Sequence, residues 1–448
     1  MSRYTAVTEQ DLEEMLGAIG VGSLEDLFAD IPEGVRLGRD IDLPDGRSEQ
    51  EVYEHLAALA ARNVHADAEV SFLGAGMYDH YVPALIDTLL SRSEFLTPYT
   101  PYQPEVSQGG LQVMFEYQTA ISELTGLPVS NASVYEGPSA VAAAGYLAKL
   151  ETRRSKLVAS RGLHPHSRAA LATHAAGYGM EVVEVPLDDA GATDLEALAA
   201  VVDDDTAAVF VQQPNFLGTV EELGELVEAG KSTGAMFVCA ADPLPLGILK
   251  PPGEQGVDVC VGEGQSLGNR LDYGGPSFGF FAASESFIRK MPGRIAGETV
   301  DAEGKRGFVL TLQTREQHIR REKATHNICT AQALNALAGV VYLSWLGKRG
   351  LVELGELMLR RTHYARETLG LESINPGPIV REFAVHVPDL DALCERARAE
   401  GINPGYRLGR DYPEYEDGLL VAITERRTKA QIDRLARVVT ASREGVPA

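Results

Sequence analysis

The chain has 448 residues, 44% of them hydrophobic and 23% charged, with a formal net charge of −24. These values describe a soluble globular protein with one large domain and a smaller one, and exclude a disordered chain. The acidic balance, with no local run of Lys or Arg, argues against a nucleic-acid partner, and the longest apolar runs ("AAVFVQQ", "SFGFFAA") are too short to span a bilayer.

The first segment, "MSRYTAVTEQDLEEML", is acidic and amphipathic with no signal-peptide pattern, so a cytoplasmic location is expected. The acidic surface suits either a salt-rich cytoplasm, which screens its self-repulsion, or an ordinary acidic cytosolic protein. Thr8 reads as the N-cap of a first helix, and "RSEQEVYEHLAALAARN" is helical by period. Residues 1–65 are therefore expected to form a helical arm. Residues 71–110 follow, dense in Gly, Pro and Tyr.

From about residue 115 a regular alternation begins. "FEYQTAISELTG" and the Ala-rich "SVYEGPSAVAAAGYLAKLE" are predicted helices. The strands "KLVAS", "EVVEV", "AAVFVQQ" and "MFVCAAD" then alternate with predicted helices, and "GVDVCVGEG" and "SFGFFAA" complete the set. Buried β-branched runs between helices predict a mostly parallel sheet covered on both faces, over residues 66–345. After a charged stretch and a long apolar helix ("CTAQALNALAGVVYLSWLG"), residues 346–448 predict a smaller α+β domain.

Several constellations carry chemistry. The turn "SVYEGPS" precedes a helix, so its N–H groups and Ser139 can hold a phosphate, although an ordinary N-cap is the simpler reading. Asp242 ends an apolar strand, where α/β proteins bind ligands; a carboxylate there either pairs with a cofactor ring nitrogen or caps the turn. The loop "TPYTPYQPEVSQGG" presents Tyr99, Tyr102, Gln103, Glu105, Ser107 and Gln108 on a proline-stiffened backbone, which suits a site wall or an interface.

His164 and His166 follow another strand end. Arg315, Glu316, Arg320 and Lys323 in "REQHIRREK" read as an ion-paired helix face. Cys239, Cys260, Cys329 and Cys394 show no metal or disulfide spacing.

The turn "GEGQSLGNRLDYGGPSFGFFA" lies between two strands, where a pyridoxal-phosphate enzyme of this pattern keeps its Schiff-base lysine. It contains none; Lys250 and Lys290 are the nearest. Together with "YTPYQPEVSQG", "FEYQTAISELTGLPVSNASVYEG", "LHPHSRAALATHA", "ILKPPGEQGVDV", "GRIAGETVD" and "LQTREQHIRREKATHNICTAQAL", it resembles the glycine decarboxylase P-protein family. The match is to the N-terminal half of the long single-chain form and to the separate α subunit of the two-chain form, with the motifs in order over about residues 60–345.

The resemblance implies a fold-type I pyridoxal-phosphate transferase architecture. It implies no catalytic residue and no covalently bound cofactor in this chain, with Gln265 and Ser266 in the region of the missing lysine and pyridoxal phosphate on a partner β subunit. It further implies an α2β2 assembly that decarboxylates glycine and passes the aminomethyl group to the lipoyl arm of H-protein. The loop from Tyr99 to Gln108 would wall the shared site, and Asp242 and Ser139 would be relics of an ancestral cofactor site. Two rival readings are a catalytically silent scaffold for β and an autonomous enzyme using Lys250.

Overall fold

The computed structural model describes residues 6–324, 326, 328 and 331–443, and divides into two units, Met1–Val64 and His65–Ala448. Cys329 lies outside the described residues.

The first unit contains helices α1 (Glu9–Ile19) and α2 (Glu49–Ala60). Each starts at a capping box: the Thr8 hydroxyl accepts from the Asp11 N–H while Asp11 accepts from the Thr8 N–H, and Ser48 and Glu51 repeat the exchange. Gly20, in the left-handed region, ends α1. Every described residue up to Val64 is exposed or half-exposed, including Val35, Leu43 and Tyr53.

In the second unit a seven-stranded sheet is built from β1 (Val129–Ser130), β2 (Lys156–Ser160), β3 (Glu181–Val185), β4 (Thr206–Gln213), β5 (Met236–Ala241), β6 (Val259–Glu263) and β7 (Gly279–Ala283). Its order is β1-β7-β6-β5-β4-β2-β3, with β7 antiparallel to both neighbours and the other pairs parallel.

The period of two along each strand sorts side chains into two cores. Val158, Val209, Phe237 and Cys239 face one side with Tyr117 and Ile121 of α3 (Gln108–Thr125). Leu157, Ala159, Phe210 and Val238 face the other, against Ala140 and Leu147 of α4 (Gly137–Thr152) and Leu171 of α5 (Pro165–Gly177). Both faces are covered, which is why the central strands read as unbroken apolar runs instead of alternating ones.

The long helix α6 (Ala333–Leu369) adds Ala338 and Tyr342 to the first core and bends at Gly347, whose backbone is non-helical (φ 62°, ψ 178°). Beyond it, β10 (Glu382–His386), β11 (Tyr406–Arg407) and β12 (Gly418–Ala422) form an antiparallel sheet in the order β10-β12-β11. α7 (Leu390–Ala399) and α8 (Lys429–Arg443) accompany it, and Leu393, Ile432 and Leu435 join its core. Among the described residues no helix is long and apolar enough to cross a membrane.

Two features depart from the sequence reading. A hairpin, β8 (Ile295–Val300) with β9 (Arg306–Thr311), was not anticipated. The "REQHIRREK" segment is also not one helix. It breaks into short turns at 313–315, 317–320 and 321–323, and Arg321 takes a positive φ. Arg315 and Glu316 are consequently buried, not on a solvated face. The Arg315 guanidinium donates to the Met291 and Gly293 carbonyls, and burial lowers its pKa to about 10. Glu316 lies 3.6 Å from the buried Arg294.

Candidate functional site

The carboxyl ends of β4, β5 and β6 open into a cavity of about 620 Å³, whose lining includes Gln212, Asp242, Glu263, Ser266, Arg381 and Arg410. This is the crevice in which α/β sheets hold ligands. No lysine stands among the described lining residues, and Lys250 is exposed and outside it.

Asp242 follows the last residue of β5 and is ion-paired with Arg381, which enters from the residue before β10. The Asp242 carboxylate also accepts from the Leu244 N–H at 3.3 Å, the turn cap that its position allowed. The Arg381 guanidinium sits 3.3 Å from the centroid of the Tyr78 ring, a cation–π contact out of water. Its Nη1 meets His80 Nε2 at 2.6 Å, and His80 Nδ1 meets Glu425 at 2.6 Å. Burial works against the charge on Arg381, but Asp242, Tyr78 and Glu382 outweigh it and keep the guanidinium protonated.

Next to it, Glu382 accepts from the Tyr78 hydroxyl and from the Ala75 N–H. Burial pushes this carboxyl up to about 7, against those hydrogen bonds and Arg381. Glu425 goes the other way: although burial raises it, His80 and the Tyr81 N–H hold it at about 2.

The helix N-terminus facing the cavity is occupied by the chain's own carboxylates. Glu263, at the end of β6, accepts from the Gly137 N–H at 2.9 Å, the Gln265 N–H at 3.0 Å and the Ser277 hydroxyl at 2.5 Å. The approach at Gly137 is close: a Cβ there would lie 3.1 Å from Glu263, tighter than most such contacts. Glu136 is the N-cap of α4 and accepts from the Ser139 N–H, and the Ser139 hydroxyl donates back to Glu136. The turn is thus a capping box, and Ser139 is not part of the cavity lining.

Gln265 and Ser266 sit at the turn after β6, and they differ. The buried Gln265 amide pairs with both backbone groups of Tyr78: its Oε1 accepts from the Tyr78 N–H at 2.9 Å, and its Nε2 donates to the carbonyls of Tyr78 at 3.1 Å and Asn269 at 2.9 Å. Ser266 faces the cavity, and its buried hydroxyl has no partner among the described residues.

His164 is half-buried beside the cavity. Its Nδ1 accepts from the His166 N–H, which leaves the proton on Nε2 to donate to the Ala75 carbonyl at 3.0 Å. The ring packs edge-on to Phe216, and burial lowers its pKa to about 4. Gly76 permits this approach at a φ of +99°; a Cβ there would lie 2.7 Å from the imidazole. His166 is exposed at the cavity mouth.

The Tyr99–Gln108 loop does not line this cavity. Tyr99 is 82% exposed, and Gln103 and Glu105 are also exposed. Tyr102 lies against Arg294, whose guanidinium donates to its hydroxyl at 3.2 Å, and against the His318 ring at 5.1 Å between centroids. Ser107 is half-buried and precedes α3 without a side-chain cap. Gln108 is turned inward, with its amide donating to the carbonyls of Pro104 and Phe308 and accepting from the Phe308 N–H. It holds the β8–β9 hairpin, a role that only the hairpin's presence reveals.

Sequence reasoning missed Arg381, His80, Glu382 and Glu425. Arg381 and Glu382 precede and begin an apolar strand ("REFAVHV"). That buried position for a charged pair was the available signal that a partner must exist.

The sheet order, the covering helices and the smaller antiparallel unit define the architecture of fold-type I pyridoxal-phosphate-dependent enzymes. A sphingosine-1-phosphate lyase structure from Burkholderia pseudomallei, 16% identical, shares it with a TM-score of 0.64 over 92% of this chain and 95% of that one. The model of the glycine cleavage system P-protein matches residues 2–439, and the chain belongs to that family.

A probable glycine dehydrogenase (decarboxylating) subunit 1 from Carboxydothermus hydrogenoformans is 52% identical over 447 residues, covering 98% of this chain and 100% of the relative. One from Geobacillus thermodenitrificans is 50% identical over 97% of this chain and 98% of its own length. The crystal structure of an inhibitor-bound glycine decarboxylase (P-protein) is 44% identical, with a TM-score of 0.89 over 98% of this chain and 100% of that one.

The cleft does not fit pyridoxal phosphate. The cofactor needs an imine lysine, a carboxylate free for its ring nitrogen, and unengaged N–H groups for its phosphate. Here the lysine is absent from the described lining, Asp242 is held by Arg381, and the N–H groups of Gly137 and Ser139 donate to Glu263 and Glu136.

Proposed function

We propose that this chain is the subunit that lacks the Schiff-base lysine in a two-chain glycine decarboxylase of the glycine cleavage system. Together with a β subunit, in an α2β2 assembly, it decarboxylates glycine and delivers the aminomethyl group to the lipoyl arm of H-protein. Pyridoxal phosphate on the β subunit supplies the electron sink for the departing carboxyl. The observation that carries this reading is the cleft of a family member with Gln265 and Ser266 at its turn and charges already engaged within the chain.

The contribution of this chain is then made outward. Tyr99, Tyr102, Gln103 and Glu105, on a loop stiffened by Pro98, Pro101 and Pro104, wall the shared active site. Tyr99, Tyr102 and Val106 are exposed together on this one loop, a grouping that supports a covered position in the assembly. Ser107 and Gln108 set the base of the loop.

The test is co-purification with the β subunit, followed by assay of glycine carboxyl exchange with bicarbonate for each chain and for the mixture. Activity confined to the mixture supports the reading. Exchange by this chain alone, with the absorption of an enzyme-bound cofactor, sinks it.

A further inference from the structure

The strand-end cleft is held by charges from several parts of the chain. Asp242 belongs to the large sheet, Arg381 to the approach of the small sheet, His80 and Tyr78 to the segment before α3, and Glu425 to the stretch after β12. The guanidinium thus meets two other pieces of chain directly, and His80 links it to a third at Glu425. Its side chain is 4% exposed and that of Asp242 13%. Arg381 also lines the cavity, and its buried Nε has no partner among the described residues. Asp242 stands at the strand end where a ligand's cationic ring atom would be met, and a planar cation with five donors is the side chain able to stand in for one.

We propose that the cleft is a self-liganded site, in which the Arg381 guanidinium is the resident ligand of Asp242, Tyr78 and His80 and clasps the small sheet to the large one. Removing that head group converts the cleft into a receptor for a small planar cation of the guanidinium class, reached through the adjoining cavity. This inference does not depend on the glycine decarboxylase reading, because its readouts are stability and ligand binding.

The experiment uses the full chain with Arg381→Ala. Its thermal midpoint is expected to fall by several degrees, and guanidinium chloride at low millimolar concentration to restore part of the loss along a saturating curve. Sodium chloride and urea at the same concentrations are expected to give no such recovery, and neither is guanidinium with the wild-type chain or with Asp242→Asn/Arg381→Ala. A folded Arg381→Ala chain that guanidinium does not stabilise, or equal stabilisation of the double variant, overturns the proposal.

Should Arg381→Ala fail to fold, the milder Asp242→Asn, Arg381→Gln and their double variant decide the matter. The clasp requires the midpoint loss of the double to be clearly smaller than the sum of the two singles. Additive losses overturn it.

Discussion

The cleft at the strand ends and the proline-stiffened loop treat their polar groups in opposite ways. In the cleft, Asp242, Arg381, His80, Glu425, Glu263 and Gln265 engage one another or the backbone, and all are buried or nearly so. On the loop, Tyr99, Gln103 and Glu105 reach into solvent, and only Gln108 is fully engaged. The strand-end crevice, where α/β folds hold ligands, is internally engaged, while a connecting loop presents its polar and aromatic groups to solvent. A loop stiffened by proline loses little entropy if a partner covers it, as the proposed shared site requires.

That contrast predicts a graded series of substitutions. Asp242→Leu leaves Arg381 charged and unpaired inside the protein, and the expected loss is about 3–5 kcal/mol, read as a shift in denaturant midpoint. A loss under about 1 kcal/mol would place the pair in the class of surface ion pairs.

Glu382→Gln is expected to change how stability varies with pH. The folded-state value of Glu382, about 7, lies above its ordinary 4.5, so the folded chain binds this proton more tightly than the unfolded chain. Its contribution is full below pH 4.5 and is lost as pH rises through 7, amounting to about 3 kcal/mol. His164 slopes the other way. With its value lowered from 6.5 to about 4, it favours folding above pH 6.5 and loses that contribution as pH falls toward 4. The two slopes oppose each other between pH 4.5 and 6.5, so removing Glu382 should leave stability rising with pH across that window. Denaturant melts at intervals of half a unit, about 0.7 kcal/mol per fully titrating proton, will show whether it does.

Gln108→Ala removes three hydrogen bonds to loop and hairpin backbone. A loss of about 1–3 kcal/mol is expected, together with faster amide exchange at Phe308. Tyr99→Ala should be nearly silent in stability, within about 0.5 kcal/mol. In the reconstituted complex, however, it should lower glycine–bicarbonate exchange about tenfold or more, through lost positioning in the shared site. If exchange survives with assembly intact, the loop is not part of that site.

The strand and helix pattern of the large sheet was readable because its strands are buried on both faces and its helices carry caps and glycine stops. The β8–β9 hairpin was not: "IAGETV" and "RGFVLT" are short, half-exposed and rich in glycine and charge, so their alternation is faint. The buried Arg315 and Glu316 were misread because charge at helical spacing looks the same whether the chain is a solvated helix or a series of turns folded inward. In the site, Asp242 was legible from its place at a strand end. Its partner was not, because 139 residues separate Asp242 from Arg381, and no local rule reports such a meeting.

Gln265 shows how firmly the cleft is set against an imine lysine. A single residue change to lysine would return an amine to the turn, yet it would remove the acceptor for the buried Tyr78 N–H, while Arg381 still held Asp242. That change costs stability and gains no chemistry, since the ring-nitrogen and phosphate positions stay taken until further residues change with it. Pyridoxal chemistry in this cleft would therefore need coordinated changes at Gln265, Arg381 and the carboxylates that hold the Gly137 and Ser139 N–H groups, and no single substitution supplies it.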